Sequence, residues 1–174
     1  TPSLSGPVGF TGSVAGDPAT VAVMLDTAGG VIRLSDIAAS LLGMDVRGTV
    51  ALPPGDAPVM PQLEGTITDL APLGRMLGTP LAGAGTFEAT SSDDGSGAVT
   101  FKAAMRRLSV EDVLVGTLQL DGTRAHSGEI AARGRARGIK VAHINVEQAR
   151  IDVSGPMLRL ALSAALSGIS TFED

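Results

Sequence analysis

The sequence predicts an all-β fold made of short, mostly antiparallel strands. Hydrophobic and polar residues alternate along several segments, which is the pattern of a strand with one buried face. The 174 residues include 23 glycines and 10 prolines, which interrupt the alternation where turns are expected. Aliphatic side chains supply most of the 44% hydrophobic content, because the aromatic residues are four phenylalanines. Such a composition suits many strands joined by frequent turns.

Five segments show the alternation most clearly. Each gains one apolar and one more polar face, because successive side chains leave a strand on opposite sides. The apolar positions are Val21, Val23 and Leu25; Val46, Gly48, Val50 and Leu52; Leu63, Gly65 and Ile67; Val99, Phe101, Ala103 and Met105; and Leu158, Leu160 and Leu162. Turn residues separate these runs at positions 29–30, 42–45, 53–56, 93–95 and 155–156.

A hairpin is predicted around Gly43. The alternating run at residues 37–41 precedes this glycine, and the run at 46–52 follows it. A glycine between two alternating runs is typical of a hairpin turn. A short helix over residues 35–42 is the alternative interpretation.

One segment departs from the strand pattern and predicts a short helix near residues 70–77. Its leucines lie at i, i+3 and i+7, which places them on one helical face: Leu70, Leu73 and Leu77. Asp69 suits the N-terminus of a helix and Gly78 the C-terminus, while Pro72 is tolerated in the first turn. We expect the three leucines to face the apolar side of the sheet.

An internal repeat links two parts of the chain. Six apolar positions recur 31 residues later without a gap: Leu108, Val110, Val113, Val115, Leu118 and Leu120 correspond to Ile139, Val141, Ile144, Val146, Ala149 and Ile151. Both copies change phase after the second position and again after the fourth. A phase change requires a turn, bend or bulge. The repeat therefore predicts one structural unit used twice in a curved array.

The sequence contains no recognisable catalytic or metal-binding motif. His126 and His143 lack further ligands at zinc-type spacing, and turn chemistry explains the acidic pair Asp93-Asp94. No nucleophile elbow or phosphate-binding loop is present. The absence of cysteine excludes thiol chemistry, and a net charge of −5 without Trp or Tyr disfavours nucleic-acid binding. We therefore expect a protein that is not an enzyme and that uses no cofactor or metal.

Three arginines alternate along one segment and should share a face: Arg133, Arg135 and Arg137. They could contact phosphate headgroups or an acidic partner. A solvated outer face is one alternative. Protection of a sheet edge against aggregation is another.

The apolar strand faces admit two arrangements. In a sandwich, two such faces pack on each other and exclude ligand, whereas a single curved sheet leaves its apolar face free for acyl chains. The scarcity of aromatic side chains favours an open groove, because small aliphatic side chains leave room. The candidate lining residues are Val21, Val23, Val46, Val50, Leu63, Ile67, Leu70, Leu73, Leu77, Phe101, Met105, Leu118, Leu120, Ile144, Val146, Ile151, Val153, Leu158, Leu160 and Leu162.

Three segments resemble a known protein family. Residues 63–87, LEGTITDLAPLGRMLGTPLAGAGTF, resemble the strand, short leucine helix and return strand of the TamB family. Residues 37–52 and 115–123, IAASLLGMDVRGTVAL and VGTLQLDGT, resemble its repeated strand-turn-strand units. The resemblance extends over residues 5–168, and AsmA-like proteins share parts of it. It implies a curved, taco-like sheet with a hydrophobic groove.

The resemblance also implies a cellular role. TamB-like proteins are anchored in the inner membrane of diderm bacteria and span the periplasm. They are linked to phospholipid movement towards the outer membrane, and to outer-membrane protein assembly with an Omp85-type partner, TamA. On this basis residues 1–174 form a single β-groove fragment of a larger envelope protein that binds phospholipid or another acyl-chain ligand. The alternatives are a β-augmentation chaperone or scaffold for outer-membrane proteins, and a structural β-solenoid with a closed core.

Overall fold

A computed structural model describes residues 3–55, 57–92, 94, 96–156 and 159–171. Within these residues, eleven strands form one antiparallel sheet in which each strand pairs with its neighbours in sequence. The strands are β1 (Ser5–Val14), β2 (Asp17–Ala28), β3 (Val31–Leu41), β4 (Met44–Leu52), β5 (Met60–Ile67), β6 (Leu81–Ser91), β7 (Val99–Val110), β8 (Val113–Arg124), β9 (Glu129–Val141), β10 (Ile144–Pro156) and β11 (Ala161–Thr171). Helix α1 (Ala71–Leu77) lies between β5 and β6. The predicted all-β fold is confirmed.

The predicted hairpin around Gly43 is present. Strands β3 and β4 are joined by Leu42 and Gly43, whose φ angles of 50° and 75° lie in the left-handed region. The alternative helix over residues 35–42 does not form, because residues up to Leu41 pair with β2 and β4.

The turn predicted at Gly155-Pro156 is wrong. Both residues belong to β10, where they pair with Ile130 and Glu129 of β9. Gly155 adopts a φ of 122°, which glycine tolerates because it has no Cβ. The chain therefore stays in the sheet as far as Pro156.

The cross-strand register places most apolar strand positions on one side of the sheet, which we call the apolar face; Met24, Met60 and Leu114 are exposed on the other side. One row of directly opposed residues crosses all eleven described strands without a polar side chain: Phe10, Val21, Ala39, Val46, Gly65, Phe87, Ala103, Leu120, Gly134, Ile151 and Ala164. The opposite side, which we call the polar face, carries the intervening residues. The alternating apolar residues of the separate strands therefore form one continuous apolar surface.

The two phase changes of the internal repeat have different structural causes. The first is the turn that follows Val110 in one copy and Val141 in the other, so the copies are the β7–β8 and β9–β10 hairpins. The second lies in an irregular row of facing residues that do not pair directly: Arg107, Gly116, Gly138, Glu147 and Gly168. Because every adjacent strand contains one such unpaired residue, the same residues stay paired beyond the row, but the alternation of apolar and polar positions shifts by one. The apolar positions on both sides of the irregular row therefore lie on the same face of the sheet.

The sheet remains open. Its accessible surface is 11169 Å², whereas a compact globular protein of this mass, 17.5 kDa, would expose about 7,900 Å². None of the described large side chains is less than 2% exposed, and half of the buried hydrophobic residues are alanines. A second layer over the apolar face would have removed this excess of surface. The described strands therefore form an open sheet, and the alternative of a closed core is not what the structure has.

Helix α1 lies at one end of the apolar face. The Nη2 of Arg75 donates hydrogen bonds to both carboxylate oxygens of Asp17, at the start of β2, at 2.7 and 2.8 Å. The buried Gly74 packs against Thr79 and Leu81, so a Cβ at this position would meet the Thr79 carbonyl oxygen at 2.7 Å. The helix thereby connects β6 with β2 across the intervening strands.

The helix follows the sequence prediction closely but differs at its last turn. The Asp69 carboxylate accepts a hydrogen bond from the Ala71 amide at 2.9 Å, and Gly78 ends the helix in the left-handed conformation. Leu70 is buried and Leu73 half-buried, whereas Leu77 is 60% exposed. Leu77 is the final helical residue and lies beyond the contact that Gly74 makes with β6. The expectation that all three leucines face the apolar side of the sheet is therefore not met at Leu77.

Candidate functional site

The apolar face extends across all eleven described strands. The charged residues that the register places on it are Asp17 and Arg124, at opposite ends of the strands. Asp17 is paired with Arg75 of helix α1. Between these ends, the register places aliphatic residues, phenylalanine, glycine and proline on the face. The surface can therefore make dispersion contacts along its length but offers few fixed polar anchors.

The residues proposed from sequence to line a groove share this face where they belong to strands. The register groups Val21, Val23, Val46, Val50, Leu63, Ile67, Phe101, Met105, Leu118, Leu120, Ile144, Val146, Ile151, Val153 and Leu162. Leu160 precedes β11 and is 48% exposed, and Leu158 lies outside the described residues. The structure therefore brings these side chains together on a single surface.

The sequence analysis did not identify the most deeply buried residues of the apolar face. The most deeply buried positions include four alanines that alternate with polar residues on β2, β9 and β10: Ala19, Ala132, Ala136 and Ala149. Leu42, in the β3–β4 turn, is also only 4% exposed. Alanine is a weak hydrophobic signal, so these residues stand out only after the register has been assigned. Each of these alanines lies two or four residues from an apolar-face residue of its own strand, and this spacing could have identified them.

The polar face carries a transverse row of charges, which we call the charged row. Its members oppose one another directly from β4 to β10: Arg47, Glu64, Glu88, Lys102, Asp121, Arg133 and Asp152. Opposite charges meet in five of the six pairs, and Glu64 opposite Glu88 is the exception. Opposite charges across a strand pair stabilise it modestly, so the row supports the observed register.

The three arginines predicted to share a face lie on the polar face. Arg133 approaches Asp152 at 3.5 Å, and both side chains are mostly exposed. Strand β9 is interior, because it pairs with β8 and β10, so the alternative of edge protection is wrong. The sheet separates these arginines from any lipid lying on the apolar face. Arg133 and Arg135 line a depression of about 540 Å³ together with acidic and amide side chains, and this setting matches a solvated outer face.

The described residues contain no constellation of catalytic type. No three His, Asp or Glu side chains among them converge on a position that could hold a metal ion. His126 lies in the β8–β9 turn and His143 in the β9–β10 turn. Hydrogen bonds from the Ser96 hydroxyl and the Ser96 amide lower the pKa of Asp94, as expected for an acidic residue in a turn. Among the described helices, none has the length and hydrophobicity of a membrane-crossing segment.

Comparison with known proteins adds no relative. No protein-family model, no curated protein and no solved structure matches the chain. The resemblance to the TamB family therefore rests on the sequence motifs at residues 37–52, 63–87 and 115–123.

Proposed function

We propose that this chain is a non-catalytic lipid conduit whose apolar face binds the acyl chains of phospholipids. In this proposal it belongs to a TamB-like protein anchored in the inner membrane, and it conducts lipid through the periplasm towards the outer membrane. An Omp85-type partner such as TamA would act with the parent protein. The single observation that supports lipid binding best is the uncovered apolar row that crosses all eleven described strands.

The energetics of acyl-chain binding favour such a surface. Burying one CH₂ group is worth about 0.8 kcal/mol, so a chain of a dozen or more methylenes gains strongly by leaving water. The ligand would also cover aliphatic side chains that are at present exposed, such as Val8 and Leu166. Both surfaces therefore lose contact with water when the complex forms.

The chemistry of the face also suits movement of the ligand. A conduit needs a binding energy that changes little from one position to the next, because a strong local anchor would trap the lipid. The charged residues placed on this face by the register, Asp17 and Arg124, lie at its ends. The aliphatic stretch between them offers similar dispersion contacts throughout.

A charge placed in the apolar row tests the proposal. Leu120→Glu introduces a carboxylate on the half-buried apolar face, whereas Gln119→Glu introduces the same group on the polar face one residue away. We expect native mass spectrometry to show bound phospholipid with the wild type and with Gln119→Glu, but not with Leu120→Glu. Circular dichroism should show all three folded.

A second variant keeps the test informative if Leu120→Glu does not fold. Leu162 lies on the same face in the edge strand β11 and is 70% exposed, so Leu162→Glu has little folded structure to disrupt. We expect reduced phospholipid binding by this variant. A wild-type protein that takes up no phospholipid, or charge variants on the apolar face that bind it as well as wild type, would refute the proposed function.

A further inference from the structure

Arg124 is an exposed cation at the margin of the apolar face. It is the last residue of β8 and lies on the same side of the sheet as Leu120 and Gly122 of that strand. Its direct neighbours in the register are Val99 of β7 and Ile130 of β9, which are both half-buried. An arginine between two aliphatic side chains rests its methylene stem on them while its guanidinium stays in water. Arg124 therefore marks the boundary between the apolar surface and the solvent.

The charge of Arg124 is not neutralised within the described part of the chain. The ion pairs formed there join Arg75 to Asp17 and Arg133 to Asp152. Helix α1 thus compensates Asp17, the other charge that the register places on the apolar face, at the opposite margin. Among the described strand residues that the register places on this face, Arg124 is left as the uncompensated charge.

We propose that Arg124 contacts the phosphate group of a bound phospholipid while the acyl chain lies along β8 towards the irregular row. This inference rests on the proposed function, because it assigns the headgroup position of the same ligand. Arginine forms charge-assisted, often bidentate hydrogen bonds with phosphate. A phospholipid carries its phosphate at the end of its apolar part. Arg124 and the aliphatic stretch of β8 complement this arrangement.

The length of the aliphatic stretch agrees with this pose. Residues of a strand rise about 3.3 Å each, so Leu118 lies roughly 20 Å from Arg124 along β8. The hydrocarbon core of a bilayer is about 30 Å thick, so an acyl chain of one leaflet extends over roughly 15 Å. Between the two residues, β8 presents Gly122 and Leu120 on the apolar face. One acyl chain therefore fits between the charged margin and the irregular row, which contains Gly116 in this strand.

A contact at the exposed margin is compatible with movement of the lipid. Water screens an exposed ion pair, so such a pair contributes little binding energy. We expect Arg124 to favour phosphate-bearing over neutral lipids by roughly two- to fivefold without holding them in place. Arg133, Arg135 and Arg137 do not contribute, because they lie on the polar face.

Two lipids that differ only in a phosphate group test this assignment. Lysophosphatidic acid and monoacylglycerol with the same acyl chain are offered in an equal mixture, and native mass spectrometry measures the ratio of the two bound lipids. Their different solubility in water affects every variant equally, so the ratios of the variants are compared. Arg124 is exposed, so its substitution removes no buried contact. We expect Arg124→Gln to lower the ratio roughly two- to fivefold, and Arg124→Lys, which keeps the charge, to preserve most of it.

A matched control removes an arginine from the same margin but from the opposite face. Arg33 lies near the start of β3, opposite Asp26 and Ala51 on the polar face. Arg33→Gln should leave the lipid ratio at the wild-type value. In 1 M salt, where the screening length is about 3 Å, the wild-type ratio should approach that of Arg124→Gln.

The outcomes separate this inference from the proposed function. If every variant binds both lipids in the wild-type ratio, the contact at Arg124 is overturned while lipid binding by the apolar face stands. If the wild type binds neither lipid, both are refuted. An equal drop in the ratio for Arg33→Gln and Arg124→Gln would also overturn the contact, because a general loss of positive charge would then explain it.

Discussion

Gly43 shows how a single residue holds the helix end of the sheet together. Its carbonyl oxygen accepts hydrogen bonds from the Thr68 amide at 2.8 Å and from the Thr68 hydroxyl at 2.9 Å. Its Cα lies so close to the following segment that a Cβ would collide with the carbonyl oxygen of Asp69. The β3–β4 turn and the entry to helix α1 therefore need glycine here for two reasons, the left-handed φ and the close backbone approach.

Gly43→Ala should destabilise the fold more than Gly16→Ala. Both glycines occupy left-handed turn positions, with φ of 75° and 89°, but a Cβ at position 16 meets no atom within 4 Å. Left-handed strain alone should cost about 1–2 kcal/mol for Gly16→Ala. Gly43→Ala adds the collision with Asp69, so its urea midpoint should be lower. Equal midpoints for the two variants would contradict the proposed close approach.

At the scale of the strands, the charged row and the apolar row both favour the observed pairing register between neighbours. Asp121 of β8 lies between Lys102 of β7 and Arg133 of β9, so it has a cation on both sides. A slip of one residue would move these charges to the apolar face. The two rows therefore specify the same register from opposite sides of the sheet.

Reversing one charge in this row should reveal its contribution. Asp121→Lys would place three cations in succession, whereas Thr123→Lys adds a cation between Thr100 and Ala131 on the same face. Each cross-strand pair is worth roughly 0.2–1 kcal/mol, so Asp121→Lys should cost about 1–2 kcal/mol and Thr123→Lys much less. Chemical denaturation at low salt measures both. A similar loss in the two variants would show that the charges do not support the register.

Helix α1 is held to β2 by an ion pair that should be weak and salt-sensitive. Arg75 is 59% exposed and Asp17 is 23% exposed, so water screens the pair. A double-mutant cycle with Asp17→Asn and Arg75→Gln should give a coupling of roughly 0.2–1 kcal/mol. The coupling should fall towards zero in 1 M salt, where the screening length is about 3 Å. A coupling independent of salt would indicate a different attachment of the helix.

The sequence predicted individual strands and the helix better than it predicted how they pack together. Alternation identified the face of Val46 and Leu120 because strand parity is a local property. Leucine spacing located helix α1, and the gapless repeat located a turn and an irregular row. Strand β1 was not recognised, because its glycines interrupt the alternation. Leu77 was expected to face the sheet, but at the last turn of helix α1 it is 60% exposed. Alternation alone could not predict the openness of the sheet, because a sandwich and a groove require the same alternation. The scarcity of aromatic side chains and the family resemblance favoured an open groove, and the structure has an open sheet.

For the whole molecule, the solvent-accessible surface area distinguishes an open sheet from a compact fold. A single sheet of eleven strands exposes roughly 3,000 Å² more than a compact protein of equal mass. Exposed apolar patches on soluble monomers rarely exceed a few hundred Å², and larger ones mark binding surfaces. The lipid binding that we propose would cover part of this excess surface.

The folded protein should bind a hydrophobic dye without being unfolded. Anilinonaphthalene sulfonate fluoresces on exposed apolar surface, which native globular proteins usually lack. We expect strong fluorescence under native conditions, and displacement of the dye by lysophospholipid. Gln119→Glu should behave as wild type. Absence of dye binding by a protein with native circular dichroism would show that the apolar face is covered in solution.

The most direct measurement of the central claim is photo-crosslinking from the two sides of one strand. A photoreactive side chain at Leu120 lies on the apolar face, and one at Gln119 lies on the polar face. After incubation with phospholipid vesicles and irradiation, mass spectrometry identifies the attached lipid and the atoms joined. We expect Leu120 to be joined to acyl-chain carbons and Gln119 to remain unmodified. Equal labelling at both positions, or labelling at Gln119 alone, would contradict lipid binding by the apolar face.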